Sequence, residues 1–201
     1  VAASFPIGGQ TTYSMIRKLN LKAGEKVLVT AATSNTSLFA INALRRLPVE
    51  VYAVTTRESF KSRLEQLGVQ QVFVVERGLK SLIEDQAIGS FIKANGGFNA
   101  VIDPFFDIYL GQAMDVIAME GRYVTCGMYA QPLVGEAAVI ETLPKNLARI
   151  MIAAMMKNIQ IIGNCIGKTA DLEKAIQDYS NNQLSVVVDS VYKDGDVANF
   201  F

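Results

Sequence analysis

Six short apolar runs punctuate the chain, at Lys26–Ala31, Val49–Val54, Gln71–Val75, Ala100–Pro104, Gly121–Cys126 and Ile159–Cys165. Between them, apolar residues recur at helical spacing in Thr36–Arg46, Ser59–Leu67, Leu79–Ala94, Tyr109–Met119 and Leu147–Lys157. The runs "VYAV", "QVFVV" and "AVID" are continuous rather than alternating. A strand that is apolar on both sides belongs in a parallel sheet covered on both faces. The alternation of strand and helix therefore predicts an α/β fold, a doubly wound parallel six-stranded sheet with right-handed crossovers. Gly24, Gly68, Gly96, Gly97 and Gly121 fall in expected connections, where a positive φ is often needed. Gly135–Asn146 reads as a longer excursion before the fifth helix. Ser185–Tyr192 reads as a last alternating strand with no partner among the six.

Composition removes several function classes. The 201 residues carry 19 basic and 19 acidic side chains, and no basic run offers a nucleic-acid surface. The most apolar segment, Ile150–Met156, falls far short of the roughly 20 residues of a membrane span. No charged-then-apolar leader opens the sequence. Cys126 and Cys165 lie in apolar runs and are too few for a disulfide scaffold, so they are expected as reduced, buried thiols of a cytoplasmic protein. There is no histidine, which removes the commonest general base and the commonest zinc ligand.

The first strand, turn and helix, Lys26–Arg46, form the leading candidate for chemistry. Backbone amides at a helix N-terminus attract phosphate, and glycines normally let a pyrophosphate approach. Here the turn reads Ser34-Asn35-Thr36-Ser37, with side-chain donors and strong capping propensity in place of glycine. A phosphate site and a capped turn without ligand are equally compatible with these residues. Thr55, Thr56 and Arg57 end the second strand and Lys61 follows one helical turn on. Hydroxyls beside a guanidinium suit a 2′-phosphate and point to NADP(H), with a solvated helix start as the alternative. Glu58 would weaken that preference. Asp103, in "VIDPFF", ends the fourth strand on the ligand edge of an open α/β sheet, or caps the turn at Pro104. Cys126-Gly127 ends the fifth strand on the same edge; without a histidine partner Cys126 reads as a buried thiol. Met151, Met155 and Met156 read as core packing, with an interface as the alternative.

Taken in order, these elements resemble the cofactor domain of the medium-chain dehydrogenase/reductase superfamily, and within it the quinone oxidoreductase and enoyl reductase branch. The marks are "FPIGGQTTYSMI", similar to the family's lead-in helix (within residues 1–24), "LKAGEKVLVTAA", similar to its first strand, and "AVIDPFFDIYLGQAMDVIAMEGRYVTCG", similar to its fourth and fifth. "KNIQIIGNCIGKTADLEKAI" resembles its sixth strand and following helix. The resemblance implies a Rossmann-type dinucleotide-binding domain over residues 1–184. It implies that 185–201 start the return to a GroES-like catalytic domain, the chain being an excised part of a larger two-domain enzyme. It places Thr11 near the nicotinamide, Ala31, Ser34 and Ser37 on the Ala-x-x-Gly-x-x-Gly turn, and Thr56, Arg57 and Lys61 at the adenosine phosphate. Asp103, Cys126 and Gly127 would border the cleft. Zinc-dependent members carry a cysteine four residues before the position of Thr11; Ile7 stands there, which matches the zinc-independent branch.

Two functions compete on this reading. One is the cofactor part of an NADPH-dependent reductase, passing hydride to a quinone or an activated alkene or carbonyl without a metal, with no catalytic residue assigned within the chain. Alone, without the catalytic domain, the chain is not expected to turn over substrate. The other is a degenerate scaffold or dimerisation module that no longer binds dinucleotide. In both, the edge strand Asn158–Ile166 is expected to pair with its copy in a homodimer.

Overall fold

The computed structural model describes residues 5–130 and 147–187. The chain enters through α1 (Phe5–Leu19), then β1 (Lys26–Val29), α2 (Asn35–Leu44), β2 (Glu50–Thr55), α3 (Lys61–Gln66) and β3 (Gln71–Val74). The second half runs α4 (Gln86–Asn95), β4 (Phe98–Asp103), α5 (Phe106–Ala113), β5 (Ile117–Thr125), α6 (Leu147–Lys157), β6 (Gln160–Gly163) and α7 (Thr169–Ser180). The six strands form one sheet in the order β3-β2-β1-β4-β5-β6, every pair parallel. This is the doubly wound arrangement that the apolar runs predict.

Alternation along each strand divides the core into two layers. Leu28, Tyr52 and Val54 face one layer with Ile88 of α4, Tyr109 of α5 and Ile150 of α6. Val27, Val29, Val51 and Ala53 face the other with Met15 of α1, Ile41 of α2 and Leu64 of α3. Both sides of a strand are thus buried, which explains runs without polar interruption. In the first layer the rings of Phe91 and Phe98 stack 5.2 Å apart, with Tyr52 4.8 Å from Phe91.

Four expectations change. The helix expected over Tyr109–Met119 ends at Ala113, and β5 begins at Ile117, four residues before Gly121. Lys157 Nζ gathers the carbonyls of Met114, Asp115 and Ile117 at 3.0, 3.1 and 3.0 Å, satisfying the turn that ends α5. Gly121 is inside the strand, where the pairing slips between Phe98↔Ile117 and Ala100↔Arg122. A Cβ on Gly121 would lie 2.9 Å from the Ala118 carbonyl oxygen, so close approach, and not positive φ, demands glycine there. The stretch Leu79–Ala94 is a short 3₁₀ turn, Leu82–Glu84, before α4, because the Asp85 carboxylate caps the amides of Ala87 and Ile88 and sets the helix start.

The methionines are the third correction. Met151, Met155 and Met156 are 48%, 69% and 73% exposed, while Ile150 and Ala154 supply the buried side of α6. The cysteines are the fourth. Cys165 is exposed, because β6 is an edge strand that stops at Gly163, and Cys126 is only partly buried. No helix among the described residues is long and apolar enough to cross a membrane. The excursion expected at Gly135–Asn146 lies outside the described residues, as does most of the expected strand Ser185–Tyr192.

Candidate functional site

β1 leaves the sheet centre and meets a turn before α2. Ala31, the first residue of that turn to face the ligand edge, has φ +42°. This is the left-handed region that costs an alanine about 1 kcal/mol or more and that glycine adopts freely. Ser34 then caps α2: its Oγ accepts from the Ser37 amide at 3.2 Å. The Ser34 hydroxyl also reaches Ser37 Oγ at 3.0 Å, and Ser37 Oγ donates to the Thr30 carbonyl at 2.7 Å. The two serines that occupy glycine positions by resemblance are therefore joined to each other and to β1. Ser37 is fully buried and Asn35 is exposed.

Beside this turn lies a cleft of about 500 Å³ at the carboxyl ends of β1, β2 and β3. Ala31 and Ser34 form its floor, Thr56 and Arg57 one wall, Glu76 and Arg77 the outer end, and Phe105, Tyr109 and Tyr129 the opposite wall. Strand order explains the location. β1 is flanked by β2 on one side and β4 on the other, so the connections diverge there and leave a crevice. Asp107 of α5 fixes the far wall by accepting from the amides of Tyr129 and Ala130 at 2.8 and 3.0 Å. The Tyr129 ring stands edge-on to Phe105 at 5.7 Å.

Asp103 is one layer below. It is completely buried, and its carboxylate accepts from Thr30 Oγ1 at 2.6 Å, from the Phe105 amide at 3.0 Å and from the Tyr123 hydroxyl. Burial pushes its pKa up to about 6, with the Thr30, Tyr123 and Phe105 donors acting against the rise and the Asp107 charge adding to it. The ring hydroxyl of Tyr123 is pushed upward by burial and by the Asp103 charge. Burial, and after it the same charge, raises the Cys126 thiol to about 11, so Cys126 is a poor nucleophile.

Of the twelve residues expected at a nucleotide site, Ala31, Ser34, Thr56 and Arg57 line the cleft. Asn35, Thr36 and Ser37 form the first turn of α2 behind Ser34. Lys61 begins α3 without reaching the lining, and Thr11 is 5% exposed within α1. Asp103 is sealed beneath the floor, and Cys126 and Gly127 follow β5 outside the lining. The sequence reading missed Glu76, Arg77, Phe105, Tyr109 and Tyr129. "ERG" directly after "QVFVV" was the available signal, since it ends a strand on the same edge as Thr56 and Arg57. Among the described residues, no three histidine, cysteine or carboxylate side chains gather as a metal site.

No family model matches the chain. It is 32% identical over 165 residues to Quinone oxidoreductase-like protein 2 of Bos taurus, covering 81% of this chain and 42% of that protein. It is 27% identical over 131 residues to Highly reducing polyketide synthase 40 of Fusarium pseudograminearum, covering 63% of this chain and 5% of the synthase. Among solved structures, a cobalt- and zinc-bound thermostable alcohol dehydrogenase from Pyrobaculum aerophilum superposes with a TM-score of 0.73 at 25% identity. That match covers 98% of this chain and 51% of the dehydrogenase. The alcohol dehydrogenase of Aeropyrum pernix shares the fold with a TM-score of 0.74 at 17% identity, over 98% of this chain and 52% of its own. The chain thus spans about half the length of these dehydrogenases and less of the curated relatives.

Proposed function

We propose, from the premise that this chain is a cofactor-binding domain of the medium-chain dehydrogenase/reductase superfamily, that its cleft seats NADP(H) for hydride transfer to a quinone or an activated alkene or carbonyl. The observation that carries the reading is the cleft itself: a helix N-terminus at its floor and a hydroxyl and guanidinium, Thr56 and Arg57, on its wall. The amides of Asn35 and Thr36, the first two helical residues, would meet a pyrophosphate oxygen. Bound there, the cofactor supplies the hydride. The residues of this chain hold the adenosine end, keep Asp103 and Tyr123 away from water, and leave the substrate site to the remainder of a larger protein. Residues 185–201 would begin the return toward that part, and no metal enters this scheme. One relative, the P. aerophilum dehydrogenase, does bind cobalt and zinc.

Calorimetric titration of the chain with NADPH and, separately, NADH tests the reading. Micromolar NADPH affinity with weaker NADH is the expected result. A folded chain that binds neither would instead favour a scaffold role. One observation does favour that second reading: the Ser34 and Ser37 hydroxyls bond to each other and to Thr30.

We also propose a homodimer through Asn158–Ile166. Among the described residues β6 is the last strand of the sheet, with Ile161 exposed on it and Met155 and Met156 exposed on the preceding helix. An unpaired apolar edge is a template for a second copy. Sedimentation equilibrium is expected to give twice the chain mass. A monomer at all concentrations, or a dimer undisturbed by Ile161→Lys, would dismiss this interface.

A further inference from the structure

Asp103 divides its two carboxylate oxygens between unlike neighbours. Oδ1 accepts from the Phe105 amide at 3.0 Å and from Thr30 Oγ1 at 2.6 Å, whereas Oδ2 accepts from the Tyr123 hydroxyl. An amide donates and never accepts, so Oδ1 stays an acceptor whether the acid is charged or neutral. An added proton therefore belongs on Oδ2, facing Tyr123. Two hydrogens cannot share that contact, so the Tyr123 oxygen must then accept and send its own hydrogen elsewhere. Thr125 is the place for it. It stands in register with Asp103 across β4 and β5, and it shares a strand face with Tyr123, two residues before it. Its Oγ1 is one of two buried side-chain polar atoms without a partner among the described residues. The other, Arg122 Nε, belongs to the opposite face of the strand. The Thr125 hydroxyl already acts on Tyr123, opposing the upward push of burial and of the Asp103 charge.

The titratable groups around the carboxyl are Asp107 and Tyr109 of α5, Tyr123 of β5 and Cys126 just beyond it; β1 contributes Thr30, which does not titrate. Among the described residues, no lysine or arginine pairs with Asp103. Charge in the cleft above reaches this group. Phe105 and Tyr109 line the cleft, and Tyr109 feels both Asp103 and Arg77, another lining residue. A negative ligand there disfavours a second negative charge beneath it. We propose that Asp103, Tyr123 and Thr125 form a buried proton site under the cleft, and that an anion entering the cleft loads it. The proton comes from solvent and settles on Oδ2. Tyr123 keeps its hydrogen and turns it to Thr125 Oγ1, so one proton is gained and no other bond changes. The coupling rests on the dinucleotide reading above and adds its pH dependence; the proton site stands without it. The carboxyl alone titrates at about 6, and an anion above moves it higher. The gain in affinity is therefore complete below about 6 and is lost as pH rises through the ligand-bound value.

Carbon-13 NMR of the aspartate carboxyls in the 201-residue chain tests the site, with Asp103 assigned through Asp103→Asn. Wild type is expected to show a midpoint of about 6 for this group. Thr125→Val keeps the shape but removes the acceptor, so the proton affinity of Asp103 should fall about tenfold, the size of one stranded hydroxyl. Thr125→Ser should restore it. An unchanged midpoint in Thr125→Val, or a wild-type midpoint at the ordinary carboxylate value, overturns the site. Calorimetry of NADPH binding at pH 7, in buffers of different ionisation enthalpy, reads the coupling. The phosphate monoester of NADPH itself titrates at about pH 6, so the uptake that counts is wild type less Asp103→Asn. About 0.4 proton is expected for a tenfold rise in proton affinity. Both wild-type measurements stand even where a Thr125 variant fails to fold. Equal uptake in the two chains overturns the coupling alone. A chain that binds neither NADPH nor NADH removes the dinucleotide reading and the coupling together, and the NMR midpoints still decide the proton site.

Discussion

Asp178→Ala is expected to destabilise the chain by about 3 kcal/mol at pH 7, the lower end of the range for breaking a buried charge pair. Asp178 lies on α7 and is 1% exposed. Its carboxylate accepts from the Tyr13 hydroxyl of α1 at 2.8 Å and from Lys174 at 3.0 Å, and it pairs with Arg46 beyond α2. One side chain thus ties three helices on the same face of the sheet. Its removal strands the Tyr13 hydroxyl and a guanidinium that is 27% exposed, and the partial exposure of Arg46 holds the cost to the lower end. Burial acts to raise the Asp178 pKa, but the bonds from Arg46, Lys174 and Tyr13 prevail and hold it below the ordinary carboxylate value. A depressed carboxyl contributes stability above its unfolded pKa and loses it as pH falls through the folded one. The gap between wild type and variant in urea unfolding should therefore be widest at neutral pH and shrink below about pH 4. A gap under about 1 kcal/mol at pH 7 would mean that the contacts are ornaments of the surface.

Asp103→Asn should act with the opposite sign. The folded-state pKa of Asp103 stands at about 6 against an ordinary 3.8, with burial as the main cause. A raised carboxyl favours the fold while protonated. Its contribution is complete below pH 3.8 and is lost as pH rises through about 6. The loss amounts to about 3 kcal/mol by pH 7, at 1.36 kcal/mol for each tenfold change in proton affinity. Asparagine keeps an acceptor for Thr30 and the Phe105 amide and offers its own N–H to the Tyr123 oxygen. The variant should therefore lack the decline between pH 4 and 7 and be at least as stable as wild type at the upper end. Unfolding curves of both chains across this interval decide it, and parallel curves would show that Asp103 does not titrate there.

The sheet was readable from sequence because burial on both faces leaves the same mark on the central strands, as in Val27-Leu28-Val29 and Val51 to Val54. The boundaries of α5 and β5 were not, because they depend on Lys157, about 40 positions away, collecting three carbonyls. Nor was the exposure of Met151, Met155 and Met156, since period and polarity cannot say whether neighbouring chain covers a helix. At the site, Ala31, Ser34, Thr56 and Arg57 were legible as strand ends and a helix start. Arg77 belonged to the same logic applied one strand further on. Asp103 does end β4, but its position beneath the floor depends on Thr30 and Tyr123, contacts that only the folded chain reveals.

The cleft straddles a seam between segments far apart along the chain. β1 and β2 join Lys26 to Glu50 through a short crossover, whereas β1 and β4 bring together Thr30 and Ile102, 72 positions apart. Tripling the loop adds only about 1 kcal/mol of closure entropy, so the seam is cheap at equilibrium but distant along the chain. Its two walls come from different halves: Ala31, Thr56, Arg57 and Arg77 from the first, Phe105, Tyr109 and Tyr129 from the second. A half-assembled chain with β1, β2 and β3 in place has the arginines but nothing opposite them. A ligand that needs both walls would bind only the finished sheet, and would stabilise it against unfolding by mass action.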